Sequence, residues 1–322
     1  VRKASALIAV AALLGVALTG CSAADTSASD CQSPVSAGAA SALIDVTGDF
    51  GKAPTVDFPT PLKTQKTQRS VVIPGTGPDL VEGQMVKVDL SVYNGSTGKS
   101  IEQTGYDGTS QPSLVLSDAT ITGLRDGLLC AQQGSRVAVA VSPDDGFGPQ
   151  GGQEALGVAK DDSLIFVIDV VKAYLPRANG ADQPEISGLP AVVLGAKGEP
   201  GITIPAGAAP NTLKIGLLKK GTGATVKEGD TVTVQYTGVV WDTKLVFDSS
   251  WERGTPAQFV AADGSKTQGG VIPGFAEALI GQKVGSQVIA VIPPDQGYGE
   301  KASEKIPANS TLVFVVDILG VN

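Results

Sequence analysis

The chain repeats itself once, and that repeat constrains its fold more than any other feature. Lys52-Ala-Pro-Thr-Val-Asp-Phe-Pro59 lines up with Gly198-Glu-Pro-Gly-Ile-Thr-Ile-Pro205, and Pro74-Gly-Thr-Gly77 with Lys220-Gly-Thr-Gly223. The offset is 146 positions as far as Glu102 and Asp248, 151 near Ile121 and Ile272, and 148 at Phe166 and Phe314. Small loop insertions shift an offset in this way, so the period is a duplicated domain, not a solenoid unit. The 322 residues divide into five expected segments: 1–20, 21–42, 43–175, a polar linker at 176–188, and 189–322. The two large ones are of ordinary domain size.

Local patterns set the class of each copy. In Thr231 to Val239, Val232, Val234 and Tyr236 fall on one face, and this period of two predicts a half-buried strand. Ser286 to Ile292 and Thr311 to Leu319 are β-branched and predict further strands. Between the strands, Pro273 to Gly281 has helical spacing, with Pro near its start and Gly at its end. One short helix among several strands predicts an α+β domain, an antiparallel sheet packed on that helix.

Composition removes several kinds of chemistry. The sequence contains no histidine, which excludes Ser-His-Asp and Cys-His catalysis and His-ligated metals. Three widely spaced cysteines make a poor zinc site, so neither metal nor cofactor is expected. The formal charge is −8 with no basic cluster, so nucleic acid is not an expected partner. Ser96-Thr-Gly-Lys99 has the Ser-x-x-Lys spacing of penicillin-binding enzymes, but lies in a Gly-rich turn without companion motifs.

Residues 1–20 read as an export signal. Arg2 and Lys3 precede the apolar run Ala4 to Leu18, which is short for a span of roughly 20 residues. The ending Leu18-Thr19-Gly20-Cys21 resembles a bacterial lipobox. That resemblance implies cleavage before Cys21, its lipidation, and an extracytoplasmic location on the bacterial cell membrane. The Ala/Ser/Asp/Gly-rich stretch that follows, to residue 42, is expected to be a flexible tether. Outside the cytoplasm, Cys31 and Cys130 either form a disulfide or remain two thiols; sequence cannot give their separation.

Five motifs in the second copy occur in order: Gln235-Tyr-Thr-Gly238, Phe247-Asp-Ser-Ser250, Val271-Ile-Pro-Gly274, Pro294-Asp-Gln-Gly-Tyr-Gly299, and Ile306-Pro followed by Ser310-Thr-Leu-Val-Phe314. Together they resemble the FKBP (tacrolimus-binding) peptidyl-prolyl isomerases over about Thr212 to Asn322. The resemblance implies two tandem FKBP-like domains, each a twisted antiparallel sheet wrapped around a short helix. It also implies proline-containing polypeptide clients and a tacrolimus-class ligand.

Carried over residue by residue, the resemblance implies a catalytic set of Tyr236, Phe247, Asp248 and Tyr298. It implies a substrate-binding set of Arg253, Val271, Ile272, Phe275, Ile306 and Phe314. The Tyr298 hydroxyl and the Ile272 N–H hold substrate carbonyls, while Tyr236 and Arg253 orient Asp248. Phe247 and Asp248 point opposite ways on a regular strand, so a bulge is expected there. Three positions depart from the family: Phe275 replaces a tryptophan, Ala257 replaces an aromatic and widens one wall, and the loop from Gly299 to Ile306 is short and lacks a histidine.

The first copy carries Leu90, Ile101, Glu102, Leu124 and Phe147 where the second has Tyr236, Phe247, Asp248, Phe275 and Tyr298; Asp107 falls near Arg253. Apolar bulk is kept and the polar groups are lost. The expected function is prolyl isomerisation assisting exported proteins, mainly by the second copy. The alternative is a non-catalytic chaperone or peptide-binding module of the same fold.

Overall fold

The structure is a computed structural model, and it describes residues 31–322. The expected leader, Cys21 and the first part of the tether lie outside the described residues. From Cys31 onward the expected tether is held in place. Cys31 is bonded to Cys130 with Cα atoms 5.6 Å apart. A short helix, α1 (Ala39–Ala42), is capped by the Gln68 side chain, whose Oε1 accepts from the Ala40 and Ser41 N–H groups. Ala40 and Ser41 are buried, which explains why so polar a stretch stays in place.

The first copy opens with a hairpin of β1 (Asp45–Thr47) and β2 (Thr55–Asp57). The sheet strands follow: β3 (Gln68–Ile73), β4 (Met85–Asn94), β5 (Ser100–Gln103) and β6 (Ser113–Val115). Helix α2 (Thr122–Leu128) then crosses to β7 (Arg136–Val141), a small hairpin of β8 (Gly152–Gln153) and β9 (Val158–Ala159), and β10 (Leu164–Ala173). The sheet order is β3-β7-β10-β4-β5, with β6 also on β4.

The second copy repeats the plan. A two-residue strand, β11 (Ala181–Asp182), precedes a hairpin of β12 (Ala191–Leu194) and β13 (Pro200–Thr203). Then come β14 (Lys214–Lys220), β15 (Thr231–Val240), β16 (Val246–Ser249), helix α3 (Ser250–Arg253), β17 (Ala257–Asp263) and β18 (Gly270–Val271). Helix α4 (Pro273–Leu279), β19 (Gln287–Ile292) and β20 (Leu312–Val321) complete it. The order is β11-β14-β19-β20-β15-β17-β18, with β16 also on β15. Every adjacent pair is antiparallel except β17 and β18, which run parallel.

Both faces of each sheet are covered, which the period-two reading of β15 did not anticipate. Helix α4 and the concave face enclose Val232, Val234, Phe275, Leu279, Val288 and Phe314. The β12–β13 hairpin packs Val192 and Ile202 on the opposite face, against Val239, Trp241, Ile289 and Val313. The first copy does the same with β1 and β2, which lay Val46 and Val56 beside Ala138, Ala140 and Ile165. Strands covered on both sides read as unbroken apolar runs, as in Val137 to Val141 and Val288 to Ile292.

An ion pair fastens the first cover. Arg136 and Asp169 have fully buried side chains, with Nε 2.6 Å from Oδ1. The Arg136 guanidinium also donates to the carbonyls of Gly48, Asp49 and Lys52, in the β1–β2 turn. The repeat places Gln287 and Asp317 at the matching positions of the second sheet. There Gln287 Nε2 donates to Asp317 Oδ1 at 2.7 Å, and the Ala178 N–H to Oδ2 at 2.8 Å.

That last bond belongs to the segment expected as the linker, 176–188, part of which lies along the second sheet. Ala181 and Asp182 pair with Lys220 and Lys219. Just upstream, Tyr174 is buried with Met85 and Leu319, the Leu175 N–H donates to the Leu319 carbonyl, and the Tyr174 hydroxyl bonds Asn322. An aromatic ring and a strand pairing hold this connection despite its Pro and Gly content.

Candidate active site

The bulge lies where Phe247 and Asp248 require it. On β15, Gly238 faces Asp248 and Val239 faces Val246, so Phe247 is the extra residue of β16. The two side chains therefore both reach the concave side. Gly238 provides the room: a Cβ there would lie 2.4 Å from Phe247 Cζ. The first copy has the same irregularity, with Val92 facing Glu102, Tyr93 facing Ser100, and Ile101 as the extra residue.

A cavity of about 660 Å³ opens between α4, the sheet and the loop carrying Tyr298. Eight of the ten expected residues line it: Tyr236, Phe247, Asp248, Val271, Ile272, Phe275, Tyr298 and Phe314. Ile306 packs against the same core but is not in the lining. Arg253 stands behind Asp248 and borders a different cavity. Phe259 and Lys301 also line the site and were not anticipated. Phe259 could have been found by parity, because it shares an inward face of β17 with Ala257 and Ala261. Its ring fills the wall that Ala257 suggested would be wide.

The floor is a nest of edge-to-face rings. Phe275 and Phe314 have centroids 4.8 Å apart, Phe247 and Phe314 5.4 Å, and Phe259 lies 5.5 Å from both Phe275 and Tyr236. Such contacts orient rings and add about 0.5–1.5 kcal/mol each beyond burial.

A polar chain runs along one wall. The Tyr236 hydroxyl donates to Asp248 Oδ2, Arg253 Nη1 donates to Oδ1, and Arg253 Nη2 lies 3.2 Å from the Tyr236 oxygen. Burial, followed by the neighbouring carboxylate, pushes the Tyr236 phenol up to about 12, so it remains a donor at physiological pH. The Asp248 and Arg253 side chains are 40% and 46% exposed. An ion pair that exposed adds little stability; what it does is hold the carboxylate in one orientation. Two donors face no competitor among the described residues. The Tyr298 hydroxyl has no partner, and Ile272, the N-cap of α4, spends its carbonyl on Phe275 and Ala276 while its N–H remains unengaged. Burial, followed by the charge of Asp248, raises the Tyr298 phenol as well.

The first copy keeps the framework without the polar chain. Leu90, Leu116, Leu124 and Phe166 are buried together, and Ile101, Ile121 and Phe147 pack against them. Glu102 is exposed on β5, and the exposed Asp107 accepts from the N–H groups of Thr109 and Ser110 in its own turn.

The cleft is apolar, with a fixed carboxylate on one wall and, among the described residues, unengaged hydrogen-bond donors at its rim. Residues 77–171 and 223–319 each match the family described as FKBP-type peptidyl-prolyl cis-trans isomerase, and the chain belongs to that family. A probable FK506-binding protein of Corynebacterium glutamicum is 38% identical over 121 residues, covering 38% of this chain and 97% of the relative. A probable FKBP-type peptidyl-prolyl cis-trans isomerase of Haemophilus influenzae is 45% identical over 116 residues, 34% of this chain and 45% of the relative. The isomerase FkpA of Escherichia coli K12 is 42% identical over 105 residues, 33% of this chain and 36% of the relative. The protein is a peptidyl-prolyl cis-trans isomerase of two tandem FKBP domains.

Proposed function

We propose that the isomerase activity resides in the second domain, in the cavity between α4 and the bulged strand β16. One observation carries the assignment: the Tyr236–Asp248–Arg253 chain borders an open aromatic cavity there, whereas the equivalent first-domain positions are Leu90, Glu102 and Asp107, without that chain. Rotation about a peptide bond meets a barrier of about 18–20 kcal/mol because the planar amide is conjugated. At the twisted state that conjugation is lost and the amide dipole weakens. Water favours the polar planar form, so an apolar wall favours the twisted form relative to water, which is differential binding of the transition state.

The residues then have separable roles. Phe247, Phe275, Phe314 and Val271 take the prolyl ring and exclude water. The Ile272 N–H and the Tyr298 hydroxyl donate to the flanking carbonyls. Asp248, held by Tyr236 and Arg253, faces the rotating amide. Full-chain variants Asp248→Asn, Tyr298→Phe and Glu102→Gln, assayed on an Xaa-Pro tetrapeptide, test the assignment. The first two lower kcat/KM by about 10-fold or more, the scale of one positioned polar contact, and the third leaves it unchanged. Equal activity in all three would place catalysis elsewhere.

In this reading the clients are exported polypeptides and Cys21 carries a lipid anchor at the bacterial cell membrane. The Cys31–Cys130 disulfide supports an extracytoplasmic setting, because such bonds persist in oxidising compartments. Loss of membrane fractionation in Cys21→Ala tests the anchor. The relative described as an FK506-binding protein supports a tacrolimus-class ligand for the same cavity, and competition by that ligand in the tetrapeptide assay tests it.

A further inference from the structure

Beside the isomerase cavity lies a second one of about 730 Å³, formed jointly by the two domains. Its first-domain wall carries Val81, Glu82, Asp118 and Ala119, and its floor is Pro176 and Arg177. On the second-domain side it meets Lys197, Gln235, Trp251 and Arg253. Arg253 is the shared partition, because its guanidinium holds Asp248 of the isomerase cavity from this side. The width of the groove is set by the docking of the domains: Met85, Tyr174 and Leu319 are buried together, and Gln84 Nε2 donates to the Tyr174 carbonyl at 2.6 Å.

Three features suit this groove to a ligand. Its volume is within the range of binding clefts. Trp251, one of only two tryptophans, is half-exposed along it instead of joining a core. Gln235 is only 5% exposed and its Oε1 accepts from Ser250, while its Nε2 has no acceptor among the described residues. That amide N–H is not sealed in the interior, so it is an accessible donor on the groove wall, ready for a carbonyl.

We propose that the interdomain groove is a second subsite for the client, taking an extended, unfolded stretch of the same polypeptide whose proline occupies the neighbouring cavity. The chemistry selects a polypeptide. Gln235 offers a donor to a main-chain carbonyl, and Trp251 offers a ring to an apolar or aromatic side chain, the anchor type most often dominant in interfaces. Glu82 and Asp118 on one wall, Arg177 on the floor and Lys197 on the other wall accommodate mixed charge and favour no polyanion. Continuity at Arg253 means that one extended chain, at about 3.3 Å per residue, reaches both sites.

The inference rests on the isomerase reading of the first cavity, so the test separates the two. Full-length protein carrying Ala119→Trp, which fills the groove from the first domain, or Trp251→Ala, on the opposite wall, is compared with wild type in two assays. One is tetrapeptide turnover; the other is anisotropy of a labelled, permanently unfolded carboxymethylated protein. The expected result is a roughly 10-fold rise in Kd for the unfolded chain in both variants, with tetrapeptide kcat/KM within about twofold of wild type. An unchanged Kd in both variants overturns the proposal, as does no binding by wild type. A parallel fall in tetrapeptide turnover also overturns it, since the residues would then serve the isomerase cavity. Wild type dimerising by light scattering, with the variants monomeric, would make a second copy the occupant and overturn it too. If wild type lacks tetrapeptide turnover, the isomerase reading fails while the binding arm still decides the groove.

Discussion

Asp317 gives the second domain a pH dependence of its own. Its carboxyl is 2% exposed and is met by the Gln287 amide and the Ala178 N–H, whereas Asp169 has the Arg136 guanidinium. Burial pushes the Asp317 carboxyl from its ordinary 3.8 to about 6, against the pull of those two hydrogen bonds. The folded state therefore binds more protons than the unfolded state between about pH 4 and pH 6. Stability falls as pH rises through that window and is flat, with respect to this group, above it. The contribution is roughly 3 kcal/mol in order of magnitude, present below pH 4 and lost above pH 6.

Asp317→Asn removes the titration and keeps both bonds once the Gln287 amide turns over. Gln287→Arg instead supplies the missing countercharge. Both tryptophans, Trp241 and Trp251, lie in the second domain, so urea unfolding of the full chain followed by their fluorescence reports on that domain. Expected is a wild-type gain in unfolding free energy between pH 7 and pH 4, relative to either variant, of about 2–3 kcal/mol. Taking the difference cancels other carboxylates. Asp263, for example, is held to about 2 by Ser265 and then Lys266, and titrates below the window. Parallel wild-type and Asp317→Asn curves from pH 4 to 7 would refute the reasoning.

Gly238→Ala drives a methyl into the Phe247 ring, so tetrapeptide kcat/KM should fall about 10-fold or more with far-UV dichroism retained. Arg136→Met leaves Asp169 buried without its cation and should cost about 3–5 kcal/mol by calorimetry, while the added change Asp169→Leu recovers most of it. Cys130→Ser opens a link spanning 99 residues and should lower first-domain stability by about 2–4 kcal/mol, an effect that reductant reproduces on wild type only.

The duplication, the strand–helix order and the bulge at Phe247 could be read from residue patterns because each is local or is repeated at a fixed offset. Eight of the ten expected site residues meet in one cavity for the same reason: five short motifs carry seven of them, and Phe275 directly follows the third. What escaped was non-local. The hairpins Asp45–Asp57 and Ala191–Thr203 cover the outer faces through contacts with strands far away in sequence, so β15 looked half-buried when it is wholly enclosed. The packing of the linker, 176–188, on the second sheet was not legible because Ala178 docks through a backbone N–H, which leaves no trace in residue type. Arg253 was assigned to the isomerase cavity, and only the fold shows that it stands behind Asp248 and borders the groove between the domains.

The outer hairpins carry one more implication. With both broad sides of each sheet already occupied by the chain's own elements, the concave and convex sheet faces serve as core. The cavities that remain open lie under α4 and at the seam between the halves. Sequence drift that changes what it handles should therefore accumulate around residues 81–83, 117–119 and 251–255, while the wide surfaces stay as they are.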